Sequence, residues 1–190
     1  MDIQLTSTNH GISEVKYNFT ETPFGEMLTA HAADAVCFAA FTTYRGRKVS
    51  LDELKKLFPF ATFSLSAEIS DVIACHPQRI LLVGTPFRHD VWRALLQIPQ
   101  GKTTTYSHLA TLAGHPRAIR AVASAIGANP IQYTIPCHRI IPTSGGIGNY
   151  HSGTAIKKQL LDWEGAYPNA TSSIIISAKP KATPIVAILE

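Results

Sequence analysis

Cysteine is scarce in this 190-residue chain: Cys37, Cys75 and Cys137 are scattered, with no C-x-x-C pair. A disulfide framework is therefore excluded, and a structural zinc site built from the Cys75-His76 and Cys137-His138 pairs is disfavoured. Long apolar runs are missing too. The longest candidate, residues 185–189, is far below the ~18 residues that cross a bilayer. The first thirty residues lack a basic segment followed by an apolar block, so no secretory leader is expected. An intracellular protein with no membrane partner is the expectation. Charged residues make up only 16%, against roughly a quarter in an average globular chain. With 45% hydrophobic residues the chain can bury a core, so disorder is not the default.

The most informative shortage is of acid. No carboxylate lies between Asp90 and Asp162, while that stretch holds seven basic residues (Arg93, Lys102, Arg117, Arg120, Arg139, Lys157 and Lys158) and four histidines. Residues 84–165 have eight Lys/Arg against three Asp/Glu, a net of +5; residues 1–83 have seven against nine, a net of −2. A segment so depleted in acid sets up a positive surface that attracts a polyanion. Nucleic acid is the leading partner, since no basic amphipathic helix stands out for a membrane surface.

Length allows one or two domains. In the first third, residues 15–19, 26–31 and 35–42 read as strands joined by turn residues. Ser50-Leu51-Asp52-Glu53 matches a capping box opening a helix that stops at Pro59. Ser66 is expected to open another, with Ile69, Val72 and Ile73 on one face, ending before Pro77. The fold class is α+β: a three-stranded antiparallel sheet with helices over 1–83, a mostly helical domain over 84–165, and a C-terminal extension over 166–190 carrying apolar patches at 174–176 and 185–189.

From Gly84 the periodicity turns helical. Thr85-Pro86 is a cap followed by a first-position proline, ahead of Phe87, Val91, Ala94, Leu95 and Ile98. Thr105 caps a helix to Gly114, and His115-Pro116 opens the next, through Ile119, Val122 and Ile126 to Asn129-Pro130. Two short helices joined at a glycine form a helix-turn-helix pattern, with Arg117 and Arg120 in the first turns of the second. Its alanines 118, 121, 123 and 125 permit close approach of whatever packs there. Residues 131–141 read as extended and interrupted by Pro136, 143–153 as a glycine-rich loop, and 154–165 as a final amphipathic helix.

Cys37 and Cys75, in apolar company, read as small buried side chains. Cys137 differs: Pro136 precedes it, and His138 and Arg139 follow. A nearby imidazole and a positive field favour the thiolate, the nucleophilic form. In an extended chain neighbouring side chains face opposite ways, so a bridging water is the natural relay between Cys137 and His138. An acid must orient the imidazole, and Asp162 and Glu164 are the nearest downstream candidates.

Pro136-Cys137-His138-Arg139, the Gly146-Ile147-Gly148-Asn149-Tyr150 loop and Thr105-Tyr106-Ser107 opening a helix-turn-helix together resemble the O6-alkylguanine-DNA alkyltransferases. The likeness covers about residues 84–165; the first eighty match only in layout. It implies a ribonuclease H-like N-terminal part, a winged helix-turn-helix-like C-terminal part, a monomer and no cofactor or metal. It implies that Cys137 takes the alkyl group irreversibly, once per molecule, from O6-alkylguanine in double-stranded DNA, with O4-alkylthymine as a further candidate substrate, after the base flips out. In that scheme His138, held by Glu164, acts as base through water, Tyr106 protonates the leaving guanine, and Asn129 is a hinge. Arg120 fills the gap in the base stack, with Arg117, Thr105, Ala121, Ser124 and Arg139 on the DNA side. Ile140, Asn149, Tyr150 and His151 line the base pocket. His151 stands where the family often has a small residue, and Gln132 replaces a proline that lines the pocket in some members. A branch that only binds damage lacks the reactive cysteine, which Cys137 excludes. Two other readings remain at this point: a non-catalytic helix-turn-helix regulator and a Cys-His hydrolase.

Overall fold

The structure is a computed structural model describing residues 1–74 and 76–166; Cys75 and the apolar patches of the C-terminal extension lie outside them. The chain runs through β1 (Asp2–Thr6), β2 (Glu14–Thr22), β3 (Gly25–Ala32), β4 (Ala35–Phe41), α1 (Arg47–Leu57), β5 (Thr62–Leu65) and β6 (Arg79–Val83). It continues through α2 (Pro86–Leu96), β7 (Thr104–Thr105), α3 (Tyr106–Leu112), α4 (Ile119–Gly127), a 3-10 turn (Cys137–Arg139), β8 (Ile140–Ile141) and α5 (Thr154–Trp163).

The α+β class holds, but the sheet is larger than expected. The three antiparallel strands β2, β3 and β4 are present, and three more join them in the order β1-β6-β4-β3-β2-β5. The additions pair in parallel: β1 with β6, β6 with β4, and β5 with β2. Parallel neighbours come from distant sequence and leave no hairpin signature, which is why the short strands were not foreseen.

β4 is buried along its whole length, as its unbroken apolar run Ala-Val-Cys-Phe-Ala-Ala-Phe requires of a strand covered on both faces. Leu54 and Phe58 from the α1 side pack with Leu28, Cys37, Ala40 and Leu81. On the other face Met27, Val36, Phe41, Ile80 and Leu82 meet Trp92, Leu95, Leu109, Val122 and Ile126 of the helices. Each aliphatic side chain so buried contributes roughly 1.5–3 kcal/mol. This second core runs across the boundary at residues 83 and 84 without a break.

Of the two N-terminal helices expected, one is present with an earlier start and the other is absent. α1 begins at Arg47, and the Ser50 N–H already donates to the Gly46 carbonyl, so Ser50 lies inside the first turn and caps nothing. Among the described residues between Ser66 and Pro77 there is no helix. The Ser66 N–H extends the sheet by donating to the Tyr17 carbonyl, while the Asp71 carboxylate accepts from the N–H groups of Ile73 and Ala74 in a turn.

The later helices follow their signals. The Thr85 hydroxyl accepts from the Arg88 N–H and the Thr105 hydroxyl from the His108 N–H, each closing a helix start. Trp92 pins α2 to α4, its indole N–H donating to the Ala125 carbonyl at 2.9 Å. Gly84 is required beside it, because a Cβ there would lie 2.8 Å from the Trp92 ring. α4 starts at Ile119 rather than His115, so Arg117 sits in the turn before the helix and only Arg120 in its first turn.

Candidate active site

The segment leading to Cys137 is not an extended strand. Ile131 makes one parallel bridge to Ala39, and the chain then closes on itself, with Ile135 N–H donating to the Ile131 carbonyl and Cys137 N–H to the Ile135 carbonyl. These local bonds consume the groups a sheet would pair. Pro136, which has no N–H, stands at the start of the 3-10 turn holding Cys137, His138 and Arg139. Successive side chains in such a turn are about a third of a revolution apart. The opposite-face argument therefore does not apply, although the imidazole still makes its hydrogen bond to Glu164 rather than to the sulfur.

Cys137 is 6% exposed, and its sulfur accepts a hydrogen bond from Asn129 Nδ2 at 3.0 Å. Burial pushes the thiol above its ordinary proton affinity; the Asn129 amide, the Tyr150 hydroxyl and the Lys157 charge only partly offset this. The expected resting thiolate is thus corrected: desolvation outweighs the positive surroundings, and the proton must be removed by a base.

His138 is fully buried and donates through Nε2 to Glu164 at 3.0 Å. Its Nδ1 is buried without a hydrogen-bond partner among the described residues. Burial lowers its proton affinity, against the raising effect of Glu164, so the ring is held neutral with Nδ1 as acceptor. Glu164 closes the C-terminus of α5 with its side chain only 1% exposed. Burial alone would raise its pKa, but hydrogen bonds from His138 and Arg139 hold the carboxyl down at about 2.

Arg139 was expected at the DNA surface and is placed otherwise. Its guanidinium donates to Glu164 from Nη2 at 2.7 Å and Nε at 2.9 Å, and to the Ile98 carbonyl from Nη1 at 2.6 Å. A fork engaged on two sides anchors the acid and leaves little for a phosphate.

Tyr106 is the first residue of α3, half-buried, and both burial and the neighbouring Cys137 raise the proton affinity of its phenol. Tyr150 also neighbours the sulfur, with its hydroxyl buried. Ile140 is buried, and its carbonyl accepts from Lys157 Nζ at 2.5 Å, so this acceptor is already engaged. Asn149 is exposed and its carbonyl receives the same ammonium at 3.4 Å. Gly148 keeps this loop tight, with a left-handed φ of +69° and a would-be Cβ 2.7 Å from Pro142. His151 is drawn away from the pocket: Nε2 meets Glu53 of α1 at 3.0 Å, and Nδ1 lies 3.5 Å from Arg45. Gln132 is also buried, its Oε1 accepting from the Ser152 hydroxyl at 2.7 Å.

One side of α4 is open to solvent. Arg117, Arg120, Ala121, Ser124 and Gly127 are exposed, and the last four share one side of α4 at helical spacing. Thr105 is spent on its capping bond and on a contact with Ser107 at 3.0 Å. Among the described residues no group of three His, Cys, Asp or Glu could hold a metal ion, and no helix is long and apolar enough to cross a membrane.

Residues 86–166 match the family model described as 6-O-methylguanine DNA methyltransferase, DNA binding domain. A methylated-DNA–protein-cysteine methyltransferase of Methanosarcina barkeri is 38% identical over 151 residues, covering 78% of this chain and 96% of that protein. The chain belongs to the methylated-DNA–protein-cysteine methyltransferase family. The regulatory protein ada of Salmonella typhimurium is 36% identical over 79% of this chain, which spans only 45% of that longer protein. Among solved structures, the OGT of Mycobacterium tuberculosis in complex with DNA aligns with a TM-score of 0.59 and 30% identity, over 80% of this chain and 93% of that one.

Within this family member, one residue of the site escaped the sequence reading. Lys157 is 1% exposed, and burial lowers its pKa to about 8 while Cys137 pulls it the other way. The clue was its place on the apolar stripe of α5, one turn before Leu160 and Leu161. It was counted only as part of the basic surface.

Proposed function

We propose that this chain is a DNA repair protein that transfers an alkyl group from O6-alkylguanine in double-stranded DNA to its own Cys137. The reading rests above all on the arrangement around one sulfur: Asn129 donates to Cys137 while the adjacent His138 is backed by buried Glu164. His138 Nδ1 takes the thiol proton, through a water, as the sulfur attacks the alkyl carbon. The new S–C bond forms as the C–O bond breaks, and its electrons pass to the guanine, which Tyr106 protonates as it leaves. Lys157, beside Cys137, stabilises negative charge on the sulfur and fixes the loop through the Ile140 and Asn149 carbonyls. A thioether does not return its alkyl group under neutral conditions, so each molecule acts once and needs no cofactor.

The exposed face of α4 supports the DNA role. Small residues Ala121 and Ser124 let the helix enter a minor groove, Arg120 takes the space of the flipped base, and Arg117 meets phosphate. Asn149 and Tyr150 form the pocket loop, while His151 holds that loop from outside through Glu53. We further read residues 1–83 as a ribonuclease H-like domain and 84–165 as a winged helix-turn-helix-like domain, in an intracellular monomer.

The test is to incubate the protein with a duplex containing O6-methylguanine and weigh the peptide carrying Cys137. A stoichiometric methyl adduct, absent in Cys137→Ser, is expected. Tight binding with an unmodified peptide would instead make this a non-catalytic DNA-binding protein.

A further inference from the structure

Among the described residues, two other than glycine have left-handed backbone: Ala33, φ +52°, and Tyr133, φ +69°. Ala33 lies in the tight connection between β3 and β4, where a left-handed residue suits the turn. Tyr133 has no hairpin to close. It sits between Ile131, bridged to β4, and the turn that carries Cys137. Glycine or asparagine adopts this conformation readily, whereas a bulky aromatic does so under strain. Strain kept at such a place points to work done by the side chain.

The ring of Tyr133 lies parallel to the His138 imidazole, centroids 6.4 Å apart and planes 10° from each other. Trp163, at the end of α5, backs it at 6.2 Å and in turn meets Phe24 at 5.7 Å. Phe24 packs edge-on against Phe41 of β4. A row of rings thus runs from the sheet to the imidazole. Among the described residues the His138 side chain has a single hydrogen bond, through Nε2. One bond fixes the ring at one edge only, and an offset parallel neighbour helps to hold its plane while shielding the His138–Glu164 pair from water.

We propose that Tyr133 is a positioning residue for alkyl transfer, its ring holding the His138 imidazole in the plane that directs Nδ1 toward the thiol proton. The inference rests on the alkyltransferase reading of Cys137. The phenol acts through its ring face, and burial keeps its hydroxyl neutral. The charged or titratable groups around His138 are Glu164, Arg139 and Lys157, with Cys137 next to it in the chain. Losing the ring admits water to this cluster, which relieves the desolvation that keeps His138 neutral and moves the acid limb of the rate profile upward in pH.

The experiment compares wild type, Tyr133→Gly, Tyr133→Asn and Tyr133→Phe by single-turnover transfer from an O6-methylguanine duplex across pH, by affinity for undamaged duplex, and by urea unfolding. Tyr133→Gly and Tyr133→Asn are expected to react about ten- to a hundredfold more slowly, part of what a general base supplies. Their DNA affinity is unchanged, and their unfolding midpoints stay close to wild type, because relief of the left-handed backbone offsets the lost packing of one half-buried ring. Tyr133→Phe keeps the native rate. Transfer by the glycine and asparagine variants at the wild-type rate overturns the proposal, as does a rate loss accompanied by a matching loss of stability or equal slowing in Tyr133→Phe. A wild-type protein that never alkylates Cys137 overturns the repair reading itself, and this inference with it.

Discussion

Asn129 ties the end of α4 to the reactive segment: its Nδ2 donates to Cys137 Sγ at 3.0 Å and to the Ile135 carbonyl at 2.8 Å, while its Oδ1 accepts from the Ile131 N–H at 3.0 Å. One amide therefore shapes the loop that presents the thiol and also stabilises the thiolate once formed.

Asn129→Ala removes both effects. It leaves the buried Ile131 N–H unpaired, at a cost of about 1–3 kcal/mol of stability, while the Ile135 carbonyl keeps its bond from the Cys137 N–H. Urea unfolding measures this, and the thiol's titration, followed by alkylation with iodoacetamide, should move to higher pH than wild type.

Glu164 gives the fold a defined acid sensitivity. Its folded pKa, about 2, lies below the ordinary 4.5, so its contribution is present above pH 4.5 and is lost as pH falls through 2. The shift corresponds to roughly 3 kcal/mol. Glu164→Gln should remove this part of the pH dependence of unfolding and slow transfer, because His138 loses its orienting acid.

Lys157→Met should slow transfer several-fold at pH 7 by removing a cation beside the developing thiolate. The gap between variant and wild type should narrow above pH 8, where the native ammonium, whose pKa is about 8, itself loses its proton. Single-turnover rates at both pH values decide the matter; a gap independent of pH contradicts the charge role.

Arg139 and Arg117 should separate cleanly. Arg139→Ala frees a buried carboxylate and should destabilise by roughly 3–5 kcal/mol without changing the salt dependence of DNA binding. Arg117→Ala should leave stability alone and reduce the salt slope by about one. Unfolding curves and salt titrations of affinity check both.

The helices of the C-terminal half were legible because their signals are local: the Thr85 and Thr105 caps and the apolar stripe of α5 need only near neighbours. Cys137 and His138 stand out from their neighbours in the chain, whereas the choice of Glu164 over Asp162 came only with the family resemblance. The capping box at Ser50 shows the limit, since the backbone had already closed a turn from Gly46. β1, β5 and β6 were invisible because each acquires its identity from a strand far away in sequence.

What the sequence alone determined is the supply of reactive groups: a cysteine followed by histidine and arginine, and a stretch from Asp90 to Asp162 with no carboxylate between them. Tertiary structure decided how those groups behave. Arg139 pairs with Glu164, His151 meets Glu53 of α1, Lys157 is buried near Cys137, and the thiol's proton affinity goes up. The reason is physical. Residue type fixes what a side chain can donate, accept or attack, whereas burial and partner distance set the energy of its charge, and both depend on contacts between residues remote in the chain.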